Sequence, residues 1–130
     1  YEELKDIISQ NQLEYRVILE GGQSNPYPYV KSACLYVHSS YVESQGLTIL
    51  EAMALGVPCV VTKSLGPCEF IEDGVNGLLT EQSPESLTEQ VLRILQDKGL
   101  YEKIKANTRC PEQFAPEHVM QKIDKLLEGQ

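Results

Sequence analysis

Short apolar runs alternate with longer amphipathic stretches along most of this 130-residue chain. Runs of apolar and β-branched residues predict strands at residues 16–19, 35–38, 57–62 and 77–80. Apolar spacing, caps and turn signals predict helices at residues 2–11, 27–32, 48–55, 84–95, 100–107 and 116–127, with a single helical turn at 68–72. Strands that alternate with helices imply an α/β fold, here a Rossmann-like parallel sheet of about four strands flanked by helices.

The segment from Glu43 to Pro58 combines a loop glycine with a helix-forming run and reads ESQGLTILEAMALGVP. Gly46 comes shortly before the good helix formers begin. At such a junction, the free backbone N–H groups of the first helical turn and the helix dipole favour an anion, typically a phosphate. Ligands of parallel sheets bind beyond the carboxyl ends of the strands, where this segment and Lys63 both fall. We therefore predict a ligand site at the start of this helix.

Two glutamates, Glu43 and Glu51, lie eight positions apart on either side of Gly46. Ionised carboxylates only accept hydrogen bonds, so they suit sugar hydroxyls, which donate them. A phosphate on the N–H groups, with hydroxyls held by the two glutamates, describes a nucleoside diphosphate linked to a sugar. Structural roles stay open, because Thr48-x-x-Glu51 fits a capping box and Glu43 fits an ordinary loop position.

The net charge of −8 argues against a nucleic-acid partner, because binding to phosphate backbones needs a cationic face. It also leaves little positive charge for a diphosphate, since only Lys63 lies close in sequence to the end of a predicted central strand. Either cations are supplied from elsewhere or the ligand is not a diphosphate.

The chain has one domain's worth of residues, no signal-peptide pattern, and no apolar run of the roughly 18 residues that suggest a membrane span.

The four cysteines show neither C-x-x-C spacing nor a nearby histidine pattern, so no metal and no cofactor are expected. Cys34 and Cys59 lie in apolar strand-like runs, where a thiol behaves as a small hydrophobic group. Reduced thiols in a cytoplasmic protein are the favoured interpretation. His38 ends the second predicted strand, where a hydrogen-bonded structural role fits better than a ligand contact, and His118 is expected to be exposed on the last helix.

Several short motifs follow one another in order over about residues 4–100. They are Arg16-Val17-Ile18, Asn25-Pro26-Tyr27, Ser40, the Glu43/Glu51 pair, EAMALGVP at 51–58, Gly66-Pro67-x-Glu69 and DGVNGLL at 73–79. Through these motifs the chain resembles the later part of the C-terminal domain of family 4 retaining glycosyltransferases, which have the GT-B fold. The glutamate pair alone is a weak motif, but its combination with the other runs is specific.

The resemblance implies a different role for each glutamate. Glu43 would be the catalytic carboxylate and bind hydroxyls of the donor sugar, whereas Glu51 would bind the ribose hydroxyls. Members of the family usually carry an aromatic residue or a glycine just after the first glutamate. This chain has Ser44 and Gln45 there, so the choice of donor sugar stays open.

The resemblance also implies where the rest of the nucleotide would lie. Backbone N–H groups of Gly46, Leu47 and Thr48 would bind the diphosphate. The base would lie near the end of the first predicted strand, at Gly22 and Gln23. The expected partner is therefore a nucleoside diphosphate sugar, with the base, the sugar and the acceptor left open.

The resemblance further implies that residues 1–130 are part of a donor-binding domain from a longer protein. The family's C-terminal domain begins with two more strands, which supply an Arg and a Lys to the pyrophosphate, and nothing in this chain matches them. An N-terminal acceptor-binding domain is not matched either. The full-length parent is expected to be the enzyme and the 130 residues alone to be inactive. Association of the parent with a membrane surface and dimerisation through an exposed sheet edge stay open.

Two other functions compete with a transferase. A GT-B sugar-nucleotide epimerase would share the fold, but the EAMALGVP run speaks against it. A non-enzymatic flavodoxin-like binding or signalling module would carry a phosphoacceptor aspartate in an acidic cluster at one strand end. No aspartate of this chain ends a strand that we predict for the sheet centre; they are Asp6, Asp73, Asp97 and Asp124.

Overall fold

The computed structural model describes residues 1–114, which form three parallel strands and six α-helices. In chain order these are α1 (Glu2–Gln10), α2 (Tyr27–Ser32), β1 (Tyr36–His38), α3 (Leu47–Ala54), β2 (Cys59–Thr62), α4 (Leu65–Cys68), β3 (Leu78–Thr80), α5 (Pro84–Gln96) and α6 (Lys98–Asn107), followed by a 3₁₀ turn at Glu112–Phe114. Within this part of the chain, no helix is both long enough and apolar enough to cross a membrane.

The sheet has the strand order β1-β2-β3, and both strand pairs are parallel. Tyr36 of β1 lies opposite Cys59 of β2, and Val60 of β2 lies opposite Leu78 of β3. All four residues of the central strand β2 are buried, as expected for a strand covered on both faces. The predicted α/β fold with a parallel sheet flanked by helices is confirmed.

The prediction of a strand at residues 16–19, and with it the count of four strands, was wrong. Residues 14–16 form a turn, because the N–H groups of Arg16 and Val17 both donate to the carbonyl of Leu13, at 2.8 and 2.9 Å. Ile18 is 75% exposed and pairs with no strand of the described residues. A strand needs a neighbour to satisfy its backbone groups, and this segment does not pair with the open edge of β1.

Helices cover both faces of the sheet and divide the core into two clusters. On one face, α3 and the segment around Phe70 bury Ile49, Leu50, Ala52, Met53, Cys59, Val61, Phe70 and Ile71. On the other face, α5 and α6 enclose Val60, Leu78, Ile94 and Ile104. Alternate side chains of β2 thus enter opposite clusters, as the two-residue period of a strand requires.

Most of the other predicted elements are found close to their predicted bounds. The cap of α5 is confirmed, since Ser83 Oγ accepts from the N–H of Ser86 at 3.1 Å and Pro84 opens the helix. The helical turn predicted at 68–72 lies earlier, as α4. Cys59 is buried, which raises the pKa of its thiol to about 12, but Cys34 is exposed rather than buried. The helix predicted at 116–127, with His118, lies outside the described residues.

Candidate functional site

The loop that carries Glu43 follows β1 and is tied to the carboxyl ends of the other strands. Thr62, the last residue of β2, donates its hydroxyl to the carbonyl of Ser40 at 2.6 Å. Gln82, just after β3, donates its side-chain amide to the carbonyls of Tyr41 at 2.6 Å and Lys63 at 2.8 Å. These bonds bring the loop to the sheet edge where ligands of such folds bind.

A second contact supports the same loop from the side of α4. The N–H of Gly66 donates to the carbonyl of Glu43 at 3.1 Å. A methyl group added at Gly66 would lie 2.6 Å from the carbonyl oxygen of Ser44 and 2.8 Å from the nitrogen of Gln45. Only a residue without a side chain lets the two backbones approach this closely, which explains the glycine in the Gly66-Pro67 motif.

The Glu43 carboxylate turns back onto its own loop. Its Oε1 accepts hydrogen bonds from the N–H groups of Gly46 at 2.9 Å and Gln45 at 3.2 Å. Its Oε2 lies 3.4 Å from Nε2 of His38, a buried atom that makes no hydrogen bond within the described chain. The predicted hydrogen-bonded role of His38 is therefore not seen at this nitrogen.

These contacts lower the pKa of the Glu43 carboxyl. The bonds from Gly46 and Gln45 are the main causes, and the neighbouring His38 adds to them. Folding lowers the pKa of the Glu43 carboxyl, so the ionised carboxylate stabilises the folded loop at every pH above the ordinary pKa of a glutamate. That contribution is lost as the pH falls through the lowered value.

Two backbone donors at the start of α3 have no partner in the described part of the chain. Gly46 caps the helix in a left-handed conformation with φ at +71°, which favours glycine. The N–H of Gly46 is already bonded to Glu43, whereas the N–H groups of Leu47 and Thr48 have no partner among residues 1–114. Of the three N–H groups predicted to bind an anion, two are therefore available and the third positions the Glu43 carboxylate instead.

Glu51 lies one helical turn beyond Leu47 on the exposed face of α3. Its Oε1 accepts a hydrogen bond of 3.1 Å from the hydroxyl of Tyr27. The capping-box alternative is wrong, since Thr48 is the second residue of the helix and no side chain caps its start. The Glu51 carboxylate is thus available to a ligand at the surface.

Residues 1–110 match the model of the family described as glycosyl transferases group 1. The chain belongs to this family. The predicted resemblance is confirmed, and the structures below extend it to the GT-B fold. Among curated relatives of this glycosyl transferase group 1 chain, the N-acetyl-alpha-D-glucosaminyl L-malate synthase of Bacillus anthracis is 31% identical over 123 residues. That match covers 92% of this chain and 32% of the relative.

Solved structures of this glycosyl transferase fold agree closely with the chain. Anabaena Alr3699/HepE in complex with UDP has a TM-score of 0.91 at 28% identity. The same protein in complex with UDP-glucose has a TM-score of 0.87 at 29% identity. Each match covers 99% of this chain and 36% of the other, so the chain spans about a third of the length of these relatives.

The other residues predicted to serve the candidate site are Gly22 and Gln23, and neither contacts the two glutamates by a hydrogen bond within residues 1–114. Gly22 and Gln23 are in the irregular segment before α2, where the Gln23 amide donates to the carbonyl of Glu20 at 2.7 Å. Their assignment to the base stays a prediction.

Lys63 does not supply a free cation to the candidate site. Its ammonium pairs with the Glu81 carboxylate, and this hydrogen bond and charge raise the pKa of Lys63. In residues 1–114, no group of three His, Cys, Asp or Glu side chains is arranged to hold a metal ion.

Sequence reasoning missed three supports of the site. They are the Tyr27 hydroxyl on Glu51, the Gln82 amide on the Glu43 loop, and the close approach at Gly66. The Asn25-Pro26-Tyr27 and Gly66-Pro67 motifs were signals for two of them, whereas Gln82 carried none.

Proposed function

We propose that this chain forms the donor-binding part of a family 4 retaining glycosyltransferase, which moves a sugar from a nucleoside diphosphate sugar to an acceptor with retention of the anomeric configuration. One observation carries the proposal: two carboxylates, Glu43 and Glu51, flank two N–H groups at the start of α3 that have no partner within residues 1–114. The printed ligands of the Anabaena structures, UDP and UDP-glucose, have the phosphates and hydroxyls that such a set would bind.

The nucleotide part of the donor would occupy the outer face of α3. The N–H groups of Leu47 and Thr48 would donate to the diphosphate, helped by the helix dipole. Glu51 would accept hydrogen bonds from the ribose hydroxyls, and the segment at Gly22 and Gln23 would border the base.

The sugar would meet Glu43. Because its Oε1 is held by two backbone N–H groups, the carboxylate is fixed, and its Oε2 keeps acceptor capacity for a sugar hydroxyl. In a retaining transfer, positive charge develops on the sugar ring as the bond to the diphosphate breaks. A fixed, ionised carboxylate would stabilise that charge without having to reorganise.

Positive charge for the diphosphate would come from the parent protein beyond this chain. Lys63 is engaged with Glu81, and two N–H groups carry only fractional charge. The proposal also includes a cytoplasmic location, which the four unpaired cysteines support. Association with a membrane surface and dimerisation through the edge strand β1 belong to the same proposal and await measurement.

The Glu51→Gln substitution tests the nucleotide half of the proposal in the full-length parent. We expect UDP binding to weaken by about 1.5–3 kcal/mol, because one carboxylate oxygen is replaced by an amide that cannot accept from ribose. Calorimetric titration with UDP measures the change. Glu89→Gln, an exposed glutamate on α5 at the opposite face of the sheet, serves as control and should bind UDP like the parent. Equal UDP affinity of Glu51→Gln and the parent would contradict a role of Glu51 in binding the ribose.

The 130 residues by themselves are expected to transfer no sugar and to bind UDP weakly. Within residues 1–114, Lys63 is paired with Glu81, and helix-terminus contacts of about 0.3–1 kcal/mol cannot replace charged side chains. The full-length parent assayed with the same donor and acceptor is the control. Robust sugar transfer by the 130 residues alone would overturn the proposal that part of the donor site lies elsewhere in the parent protein.

A further inference from the structure

One hydrogen bond in the candidate site joins two helices that are distant in sequence. The hydroxyl of Tyr27, at the start of α2, donates to Oε1 of Glu51 on α3 at 3.1 Å. That bond and the negative charge of Glu51 raise the pKa of Tyr27, so the phenol stays protonated and remains a donor.

Local structure holds Tyr27 in place for this contact. Its own N–H donates to the Asn25 side chain at 3.2 Å, and Pro26 precedes the first residue of the helix. Val30, one turn further along α2, packs against the core cluster beneath α3. Tyr27 is 46% exposed, so its position is not explained by burial alone.

We propose that Tyr27 is a positioning residue for Glu51. This inference rests on the proposed function, in which Glu51 binds ribose. A free glutamate side chain on an exposed helix samples several rotamers, and ordering it costs binding free energy. By holding Oε1, the rigid Tyr27 side chain fixes the carboxylate before the nucleotide arrives and leaves Oε2 directed to the ribose hydroxyls.

The test compares Tyr27→Phe with the full-length parent by titration with UDP. We expect affinity to fall about five- to tenfold, with the loss in KM for the nucleotide sugar rather than in kcat. Tyr29→Phe is the matched control, because Tyr29 lies on the same helix, is 48% exposed, and makes no side-chain hydrogen bond within residues 1–114. It should bind UDP like the parent.

A second probe separates positioning from general support of the fold. Titration with 2′,3′-dideoxy-UDP, which lacks the ribose hydroxyls, should give equal affinities for Tyr27→Phe and parent. In the Tyr27→Phe/Glu51→Gln double variant, the loss of UDP affinity should not exceed that of Glu51→Gln alone.

The outcomes distinguish the two proposals. If the parent binds none of UDP, GDP and ADP, the proposed function fails and this inference fails with it. If Glu51→Gln weakens UDP binding but Tyr27→Phe does not, only the role of Tyr27 is overturned. A Tyr27→Phe loss that is equal for UDP and the dideoxy analogue would also overturn it, because the tyrosine would then support the fold and not the ribose contact.

Discussion

Replacing Glu43 with glutamine is expected to slow sugar transfer by the full-length protein about 100-fold or more, with little change in UDP affinity. The amide oxygen of glutamine can still accept from the N–H groups of Gly46 and Gln45, so the loop keeps its place. What is lost is the negative charge that would face the sugar ring in the transition state. Single-turnover rates with a saturating nucleotide sugar, together with UDP titration, measure the two effects separately.

Glu43→Ala separates the charge of Glu43 from its support of the loop. Alanine removes both the charge and the two bonds to the loop N–H groups, so we expect this variant to lose UDP affinity as well as turnover. If Glu43→Gln lowered UDP affinity yet left turnover intact, the roles of Glu43 and Glu51 would be reversed.

The sequence predicted correctly those helices and strands whose local propensity and caps favour the same structure as their packing against neighbouring elements. The helix after Gly46 has good helix formers and a glycine at its start, and α5 has a serine cap followed by proline. The apolar run of β2 needs both faces covered, and α3 and α5 cover them. In each case the pattern and the neighbouring elements favour the same structure.

The wrong prediction of a strand at residues 16–19 shows what local sequence signals cannot predict. The apolar residues of this segment have strand propensity, but strand formation depends on a partner that no local pattern reveals. Among the described residues, the segment does not pair with the open edge of β1, and the N–H groups of Arg16 and Val17 donate to the carbonyl of Leu13 in a turn instead.

The sequence suggested which side chains to consider for the candidate site but not their geometry. The spacing of Glu43 and Glu51 around Gly46 singled out the two carboxylates, and their roles stay predictions. The N–H of Gly46 donates to the Glu43 carboxylate and is therefore not free for an anion; this bond depends on the side-chain rotamer of Glu43. The contact between Tyr27 and Glu51 depends on how α2 packs beside α3, across 24 positions of sequence.

Gly66→Ala is expected to disturb the site through backbone contact alone. The added methyl group would lie 2.6 Å from the carbonyl oxygen of Ser44, and neither backbone can move away without breaking the bond from Gly66 to the carbonyl of Glu43. We expect a loss of about 1–3 kcal/mol in the free energy of unfolding, as for other overpacked positions. UDP affinity should fall as well, because the displaced loop carries the cap of α3. Denaturant unfolding and UDP titration of the full-length protein measure both.

Gly99→Ala is the matched control for this prediction. Gly99 lies within α6, and a methyl group there would meet the Asp97 side chain at 3.4 Å, an ordinary contact distance. Alanine in a helix is about 0.5–1 kcal/mol more favourable than glycine, so this variant should be as stable as the parent or more stable, with unchanged UDP affinity. If Gly66→Ala behaved in the same way, the loop at Ser44 would have to move freely. The carboxylate of Glu43 would then not be held rigidly enough to stabilise charge in a transition state, because that stabilisation depends on a group that is already in place.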